Sequence, residues 1–181
     1  QRHDTTVSPS TLRRRLTAAG LITPDPRKRP TSSYIRFEAT LPNETWQTDM
    51  THWRLADNTD TEILTFIDDH SRYALSVTVH QRVTTPVVVD QFEQTAGQHG
   101  FPASVLSDNG MYYTTRFAGP RTGRNRFETL LAEHGINQKH SRPNHPRTCG
   151  KVERFQQTLK KWLRAQTPPT TITDLQHHLD T

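Results

Sequence analysis

The sequence predicts an α/β layered domain of roughly 120 residues. Three observations carry that prediction. Apolar and amphipathic runs follow the order strand, strand, strand, helix, strand, helix, strand, helix, and such alternation lets helices cover a sheet. Near the C-terminus, Val152, Phe155, Leu159, Trp162 and Leu163 form an apolar stripe at helical spacing. Finally, only 31% of the 181 residues are apolar and mean hydropathy is −0.83, although charged residues make up just 23%. Threonine, proline, arginine and glutamine fill the gap, so the expectation is one modest core with polar arms.

Residues 7–20 read as one capped helix. Ser8 suits the N-cap, Pro9 the first helical position and Gly20 the C-terminal stop. Val7 and Leu12 stand where a hydrophobic staple would place them. Leu12, Leu16 and Ala19 make a narrow stripe, with Arg13, Arg14 and Arg15 crowding the other faces. So little apolar surface cannot stabilise an isolated helix. It reads either as a solvated basic helix or as the recognition helix of a helix-turn-helix. From Thr23 to Asn43, four prolines stiffen the chain and Arg27, Lys28, Arg29 and Arg36 charge it. This is a linker whose basic cluster suits a DNA backbone or plain solvent.

Trp46–Leu55 reads as the first strand and Ile63–Ile67 as a buried second. Tyr73, Leu75, Val77 and Val79 alternate as a half-buried third. A helix opens at Thr85 and Pro86, buries Val89, Phe92 and Ala96, and closes at Gly97 and Gly100. Ala103–Ser107 is the fourth strand, stopped by the turn residues Asp108, Asn109 and Gly110. A basic stretch through Arg121, Arg124 and Arg126 leads to a helix with Phe127, Leu130, Leu131 and His134. Ile136–Ser141 is the fifth strand, and the long helix runs from Gly150 to about Gln166. Beyond Pro168 and Pro169, Thr173-Asp174-Leu175-Gln176 reads as a capping box that starts a last helix through Leu179.

A net charge of +5 and a pI near 9.7 favour a polyanionic partner. Cys149 is the sole cysteine, which excludes an internal disulfide and a Cys-rich zinc site. No apolar run approaches the ~20 residues of a membrane span, and the polar start does not read as a signal peptide. The expectation is a cytoplasmic, nucleoid-associated protein with no membrane partner and no small-molecule substrate. Because the chain begins with Gln1, it is expected to be a piece of something longer.

Three carboxylates stand out. Asp49 lies inside a strand, where propensity disfavours it, and alone it could simply face water from an edge. Asp108 follows the apolar Val105-Leu106, and alone it is a turn residue. Glu153 borders the stripe of the long helix, and alone it is a surface glutamate. Together they can converge, and their oxygens could hold two hard divalent ions, Mg²⁺ or Mn²⁺. Two such ions can activate an attacking hydroxyl and stabilise the leaving oxygen of a phosphodiester. Glu153 is also the one acidic residue between Lys139 and Arg164, among eight lysines and arginines, which suits a metal ligand beside phosphate. Gln157 and Lys160 share its face. Asp68 and Asp69 also follow a buried strand and rival Asp49, with structure the favoured reading. His52, His140 and His145 are weaker candidates for substrate contact, and the sequon at Asn43 is discarded for want of any sign of secretion.

Four blocks carry a resemblance: Trp46-Gln47-Thr48-Asp49-Met50-Thr51, Phe66-Ile67-Asp68-Asp69-His70-Ser71-Arg72-Tyr73, Ser107-Asp108-Asn109-Gly110 and Gly150-Lys151-Val152-Glu153-Arg154. In order and residue type they resemble the catalytic core of DDE transposases of bacterial insertion sequences and of retroviral integrases. The resemblance implies a ribonuclease-H-like five-stranded mixed sheet flanked by helices, with Asp49, Asp108 and Glu153 as catalytic, metal-binding triad. It also makes residues 8–20 the end of a helix-turn-helix. The segments are then 1–22 (helix-turn-helix remnant), 23–43 (linker), 44–166 (catalytic core) and 167–181 (start of a truncated helical extension).

The implied function is metal-dependent cleavage at transposon ends and transfer of the freed 3′-hydroxyl to target DNA, by a homo-oligomer on double-stranded DNA. Arg13, Arg14, Lys28, Arg147, Lys151, Arg154 and Lys160 are the expected DNA contacts. Two alternatives stand beside it: a non-catalytic DNA-binding inhibitor of transposition, and a plain ribonuclease-H-like nuclease. Three departures from the pattern are visible. The Asp108–Glu153 interval is longer than usual, with the surplus around Ala118–Arg126; Cys149 replaces a common asparagine; and Gln157 replaces a DNA-contacting lysine.

Overall fold

Alternation along residues 45–68 builds the centre of a sheet. In the computed structural model, which describes residues 8–21, 38–116, 123–140 and 150–181, β1 (Thr45–Arg54) runs antiparallel to β2 (Asp60–Asp68), with Trp46 opposite Asp68 and Arg54 opposite Asp60. β2 continues antiparallel into β3 (Ala74–His80), with a register shift at Phe66/Ile67. That shift and the turn before β3, where Arg72 takes φ +63°, leave Tyr73 outside the strand and exposed, not at its first inward position. α2 (Thr85–His99) crosses to β4 (Ser104–Ser107), which lies parallel to β1. α3 (Arg126–Glu133) crosses to β5 (Asn137–His140), parallel to β4. The strand order β3-β2-β1-β4-β5 makes the expected five-stranded mixed sheet.

The pleat sends alternate residues to opposite faces. On one face Trp46, Leu64, Phe66 and Val105 meet Val88, Val89, Phe92 and Ala96 of α2 and Phe127, Leu130 and Leu131 of α3. Phe92 stands edge-on to Trp46 and to Phe127, each at 5.6 Å between ring centres, a favourable aromatic geometry. On the other face lie α4 (Gly150–Leu163) and α5 (Ile172–Leu179). Val152 and Phe155 cover Ile67 and Leu106, while Leu163 and Leu175 cover Leu55, Ile63 and Val79.

Two sequence readings shift here. The buried stripe of α4 contains Gln156, whereas Trp162 is 37% exposed, edge-on to His178. The last capping box is formed by Thr171 and Asp174, not Thr173 and Gln176. Asp174 also takes the Thr170 hydroxyl, which fixes the helix start two residues earlier than the Thr-x-x-Gln pattern suggests. Gln176 is used differently: its amide accepts from Val79 N–H at 2.9 Å and donates to Val77 C=O at 3.1 Å. It thereby pairs the outer edge of β3 as a strand would. Residues 167–181 therefore lie on the sheet within the same unit as the core.

Contacts divide the chain into two units, residues 1–36 and 37–181. In the first, α1 (Pro9–Ala18) is capped as expected: Ser8 Oγ accepts from Thr11 N–H, Pro9 opens the helix, and Gly20 at φ +69° ends it. Val7, the linker through residue 37, residues 117–122 and residues 141–149 lie outside the described residues, and with them the staple, Lys28, His145, Arg147 and Cys149.

Candidate active site

Strand register brings the first two carboxylates together. Gln47 of β1 is level with Leu106 of β4. Asp49 lies two residues beyond Gln47, and Asp108 two beyond Leu106 and just past the end of β4, so continuing that parallel register would bring both near one level on one face. Adjacent strands stand about 4.8 Å apart. The face is the one α4 covers, and Glu153 sits in the first turn of α4, next to Val152 on the buried stripe. The three sites thus come from β1, the turn after β4, and the start of α4.

The electrostatics agree with that placement. Asp49 is pushed up from 3.8 to about 6, first by burial and then by the negative charges of Asp108 and Glu153. Its own neighbour, Met50 N–H at 2.9 Å, pulls the other way, as more weakly does the Gln156 amide. Asp108 Oδ1 accepts Gly110 N–H at 2.8 Å, closing the Asp-Asn-Gly turn. At the third position a Cβ would lie 2.6 Å from the Tyr112 ring, so any residue larger than Gly110 would displace that ring. The Tyr112 phenol is pushed well up by burial, then by Asp108 and Asp49, so it keeps its proton beside the acidic cluster. Beneath it, the buried Tyr113 hydroxyl pairs with Thr48 at 3.0 Å.

Two polar atoms close to Asp49 remain unspent. Thr65 is opposite Asp49 in the β1–β2 register, and its hydroxyl is fully buried without a hydrogen-bond partner. Gln156 Nε2, one turn along α4 from Glu153, is buried likewise and makes no hydrogen bond of ordinary geometry.

Among the described residues, no group of three His, Cys, Asp or Glu side chains is gathered tightly enough to hold a metal ion as it stands. The donor chemistry nevertheless fits a hard divalent cation. The set is all oxygen, and Asp49, raised first by burial, also feels the negative charges of Asp108 and Glu153, which such an ion would offset.

Asp68 and Asp69 contrast sharply. Asp68 accepts Ser71 N–H, the Ser71 hydroxyl and Asn43 N–H, each at 2.7 Å. Burial raises its pKa, but these donors outweigh that and hold it below the usual range. Asp69, 2% exposed, accepts Ala39 N–H at 2.6 Å, Gln47 Nε2 at 2.5 Å and Lys151 Nζ at 2.7 Å.

The basic candidates separate as well. Lys151 is tied to Asp69, with its side chain 18% exposed. Arg154 is exposed on α4 and Lys160 half-buried, while Arg13 and Arg14 are exposed on α1. His52 pairs with Asp60 at 3.0 Å on the surface. His140 ends β5 opposite Ser107, its Nδ1 buried without a partner. Sequence reasoning passed over Gln47, Thr65, Tyr112 and Gln156. Of these, Gln156 left a signal, an amide inside an apolar helical stripe.

Comparison with known proteins follows the same lines. Residues 39–146 match the family described as integrase core domain, and residues 134–181 match a second family of that description. The chain is 31% identical over 109 residues to an uncharacterized 39.2 kDa protein of insertion element IS476 from Xanthomonas euvesicatoria, covering 60% of this chain and 32% of that one. It is 31% identical over 127 residues to InsK, a candidate transposase of insertion sequence element IS150 from Escherichia coli, covering 68% and 41%. The chain thus spans less than half the length of these curated relatives.

Among solved structures, it resembles a chain of the simian T-cell lymphotropic virus intasome bound to the PP2A regulatory subunit B56γ, with TM-score 0.64 and 25% identity over 81% of this chain and 50% of that one. The HTLV-2 integrase catalytic core with magnesium, in its dimeric form, gives TM-score 0.55 and 22% identity over 70% and 73%. The ribonuclease-H-like fold expected from the sequence is the fold found.

Proposed function

The chain belongs to the integrase core domain family, and on that premise we propose that it is the catalytic part of an insertion-sequence transposase that cleaves DNA at transposon ends and joins the freed 3′-hydroxyl to target DNA. One observation carries the reading: Asp49 on β1 and Asp108 just past the end of the parallel β4 share a face with Glu153 of α4, and the charges of both act on the buried Asp49. Three repelling carboxylates are costly to keep unless something cationic uses them.

Asp49 and Asp108 would hold ions between them, and Glu153 would complete the second position. Two Mg²⁺ or Mn²⁺ ions, when bound, supply activation of the attacking hydroxyl and charge stabilisation at the leaving oxygen. The magnesium named with the HTLV-2 core supports this choice of cation. Tyr112 stays protonated and so adds no further negative charge. Arg154 and Lys160, on the helix that carries Glu153, contact phosphates flanking the scissile bond. Arg13 and Arg14 of α1 read transposon-end DNA as the close of a helix-turn-helix, and Lys28 and Arg147 add phosphate contacts. Residues 1–22, 23–43 and 44–166 serve as reader, linker and catalytic core, with 167–181 as a helical extension. Dimeric, trimeric and intasome forms among the structural neighbours support a multimer on paired DNA ends.

The test is Mg²⁺-dependent cleavage and strand transfer on labelled DNA carrying the element's terminal repeats, with Glu153→Gln beside the wild type. The variant keeps its fold and DNA affinity and loses both reactions. Cleavage by Glu153→Gln at the wild-type rate would overturn the assignment.

A further inference from the structure

We propose that Lys151, Asp69 and Gln47 form a positioning clamp that fixes α4 against β1 and so sets where Glu153 stands relative to Asp49 and Asp108. This rests on the triad reading above and assigns three residues that make no direct contact with metal or DNA.

The clamp is a closed set of bonds across distant parts of the chain. Lys151 Nζ donates to both Asp69 Oδ2 and the Asp69 carbonyl, each at 2.7 Å. Asp69 Oδ1 accepts Gln47 Nε2 at 2.5 Å. The other end of the same amide, Gln47 Oε1, accepts Val152 N–H at 3.2 Å. Ala39 N–H at 2.6 Å fills the remaining side of Asp69 Oδ2. Gln47 is 2% exposed, so these bonds are shielded from water.

The placement explains what the clamp does. Gln47 lies two residues before Asp49 on the same strand and the same face. Val152 immediately precedes Glu153. The path from one carboxylate to the other therefore runs through one amide side chain. Val152 N–H is in the first turn of α4, where backbone donors have no partner within the helix. Satisfying it from a strand fixes the helix along its axis, and the paired residue before it fixes the helix in rotation. Buried ion pairs are weak sources of stability, and setting register is their best-attested use. The same geometry commits the ammonium nearest Glu153 in sequence to Asp69, so it does not neutralise the triad.

The experiment uses the full chain with Lys151→Met, Lys151→Arg, Asp69→Asn and the Lys151→Met/Asp69→Asn double variant. Three quantities are read: the Mg²⁺ concentration giving half the Mg²⁺-induced rise in thermal midpoint, the single-turnover cleavage rate at saturating DNA, and DNA affinity against salt. A clamp predicts an increase of about tenfold in the Mg²⁺ requirement and a comparable loss of rate in each single variant. DNA affinity stays unchanged, and the double variant is no worse than the weaker single one. Lys151→Arg keeps the charge but cannot reproduce a compact ammonium on two oxygens of one residue. It folds and shows the Mg²⁺ shift, so the inference is testable even if Lys151→Met does not fold.

Weaker DNA binding with a salt slope lower by about 1 for Lys151→Met alone would make Lys151 a phosphate contact and overturn the clamp. A lower thermal midpoint with unchanged Mg²⁺ response would reduce it to ordinary structure. Glu153→Gln run in parallel separates the two levels. Its loss of cleavage beside clamp variants with a normal Mg²⁺ response refutes the clamp alone, whereas its normal cleavage removes the triad reading and the clamp with it.

Discussion

Asp68 and Asp69 lie at the end of β2, Asp49 on the neighbouring β1 and Asp108 just past β4 beyond it, yet the two pairs are supplied very differently with hydrogen-bond donors. Asp68 and Asp69 are nearly buried and each accepts three donors from backbone, hydroxyl, amide or ammonium. Among the described residues, the ordinary-geometry donors to Asp49 and Asp108 are local backbone N–H groups, those of Met50 and Gly110. The first pair is finished by the fold. The second pair has fewer donors to offset burial, so burial, and then the charges of Asp108 and Glu153, raise Asp49 where donors lower Asp68. A satisfied carboxylate holds structure; an unsatisfied one of the same residue type is available to a ligand.

The comparison breaks if the pairs respond alike to substitution. Asp108→Asn is expected to lower Mg²⁺-dependent cleavage by at least about 10³-fold, roughly 4 kcal/mol of transition-state stabilisation, with the fold intact by circular dichroism. Asp69→Ala should instead lose about 3–5 kcal/mol in urea unfolding, because it strands the mostly buried Lys151 ammonium. Equal loss of stability in both variants would erase the distinction.

A smaller effect carries opposite signs at the two sites. The folded-state pKa of Asp49, about 6, exceeds its unfolded value of 3.8. The folded chain therefore holds that proton more tightly, and stability falls as pH rises from about 4 through 6. Above that window the ionised form costs about 2–3 kcal/mol. Asp49→Asn should thus stabilise the metal-free chain at pH 7.5 and leave it unchanged at pH 4. For Asp68, whose folded value is lowered, the contribution is present above its unfolded pKa and lost as pH falls through the folded one. Thermal melts of the two asparagine variants across pH 3–8 check both signs. Weaker still, Arg154→Gln should reduce DNA affinity uniformly across sequences and lower the salt slope by about 1, as a phosphate contact does.

Strands and helices were legible because their periodicities survive in a single sequence. Ile63–Ile67 is apolar but for Thr65 because both faces of β2 are covered. Asp49 was legible as an anomaly, a carboxylate where a strand disfavours one. The level placement of Asp49 and Asp108 was not, since register between strands separated by two hairpin strands and a helix is a property of the assembled sheet. Lys151 illustrates the same gap. Its neighbours in sequence suggest a basic DNA-facing helix, but its partner, Asp69, lies 82 residues away. Gln156 is buried and Trp162 partly exposed because composition gives the width of a helical stripe but not its rotation to within one residue.

The amide of Gln176 laid along β3 has a further consequence, one of solution behaviour. An outer strand with free N–H and C=O groups is a template for any passing extended chain. In this sheet α5 supplies both a hydrogen-bond cap for Val77 and Val79 and an apolar lid, Leu175, over Ile63 and Val79. A polypeptide ending after Leu163 would keep every member of the acidic cluster but carry an uncapped, sticky margin. Its failure is expected to show as aggregation at constant chemistry, which would mark α5 as a guard of this edge against pairing with other chains.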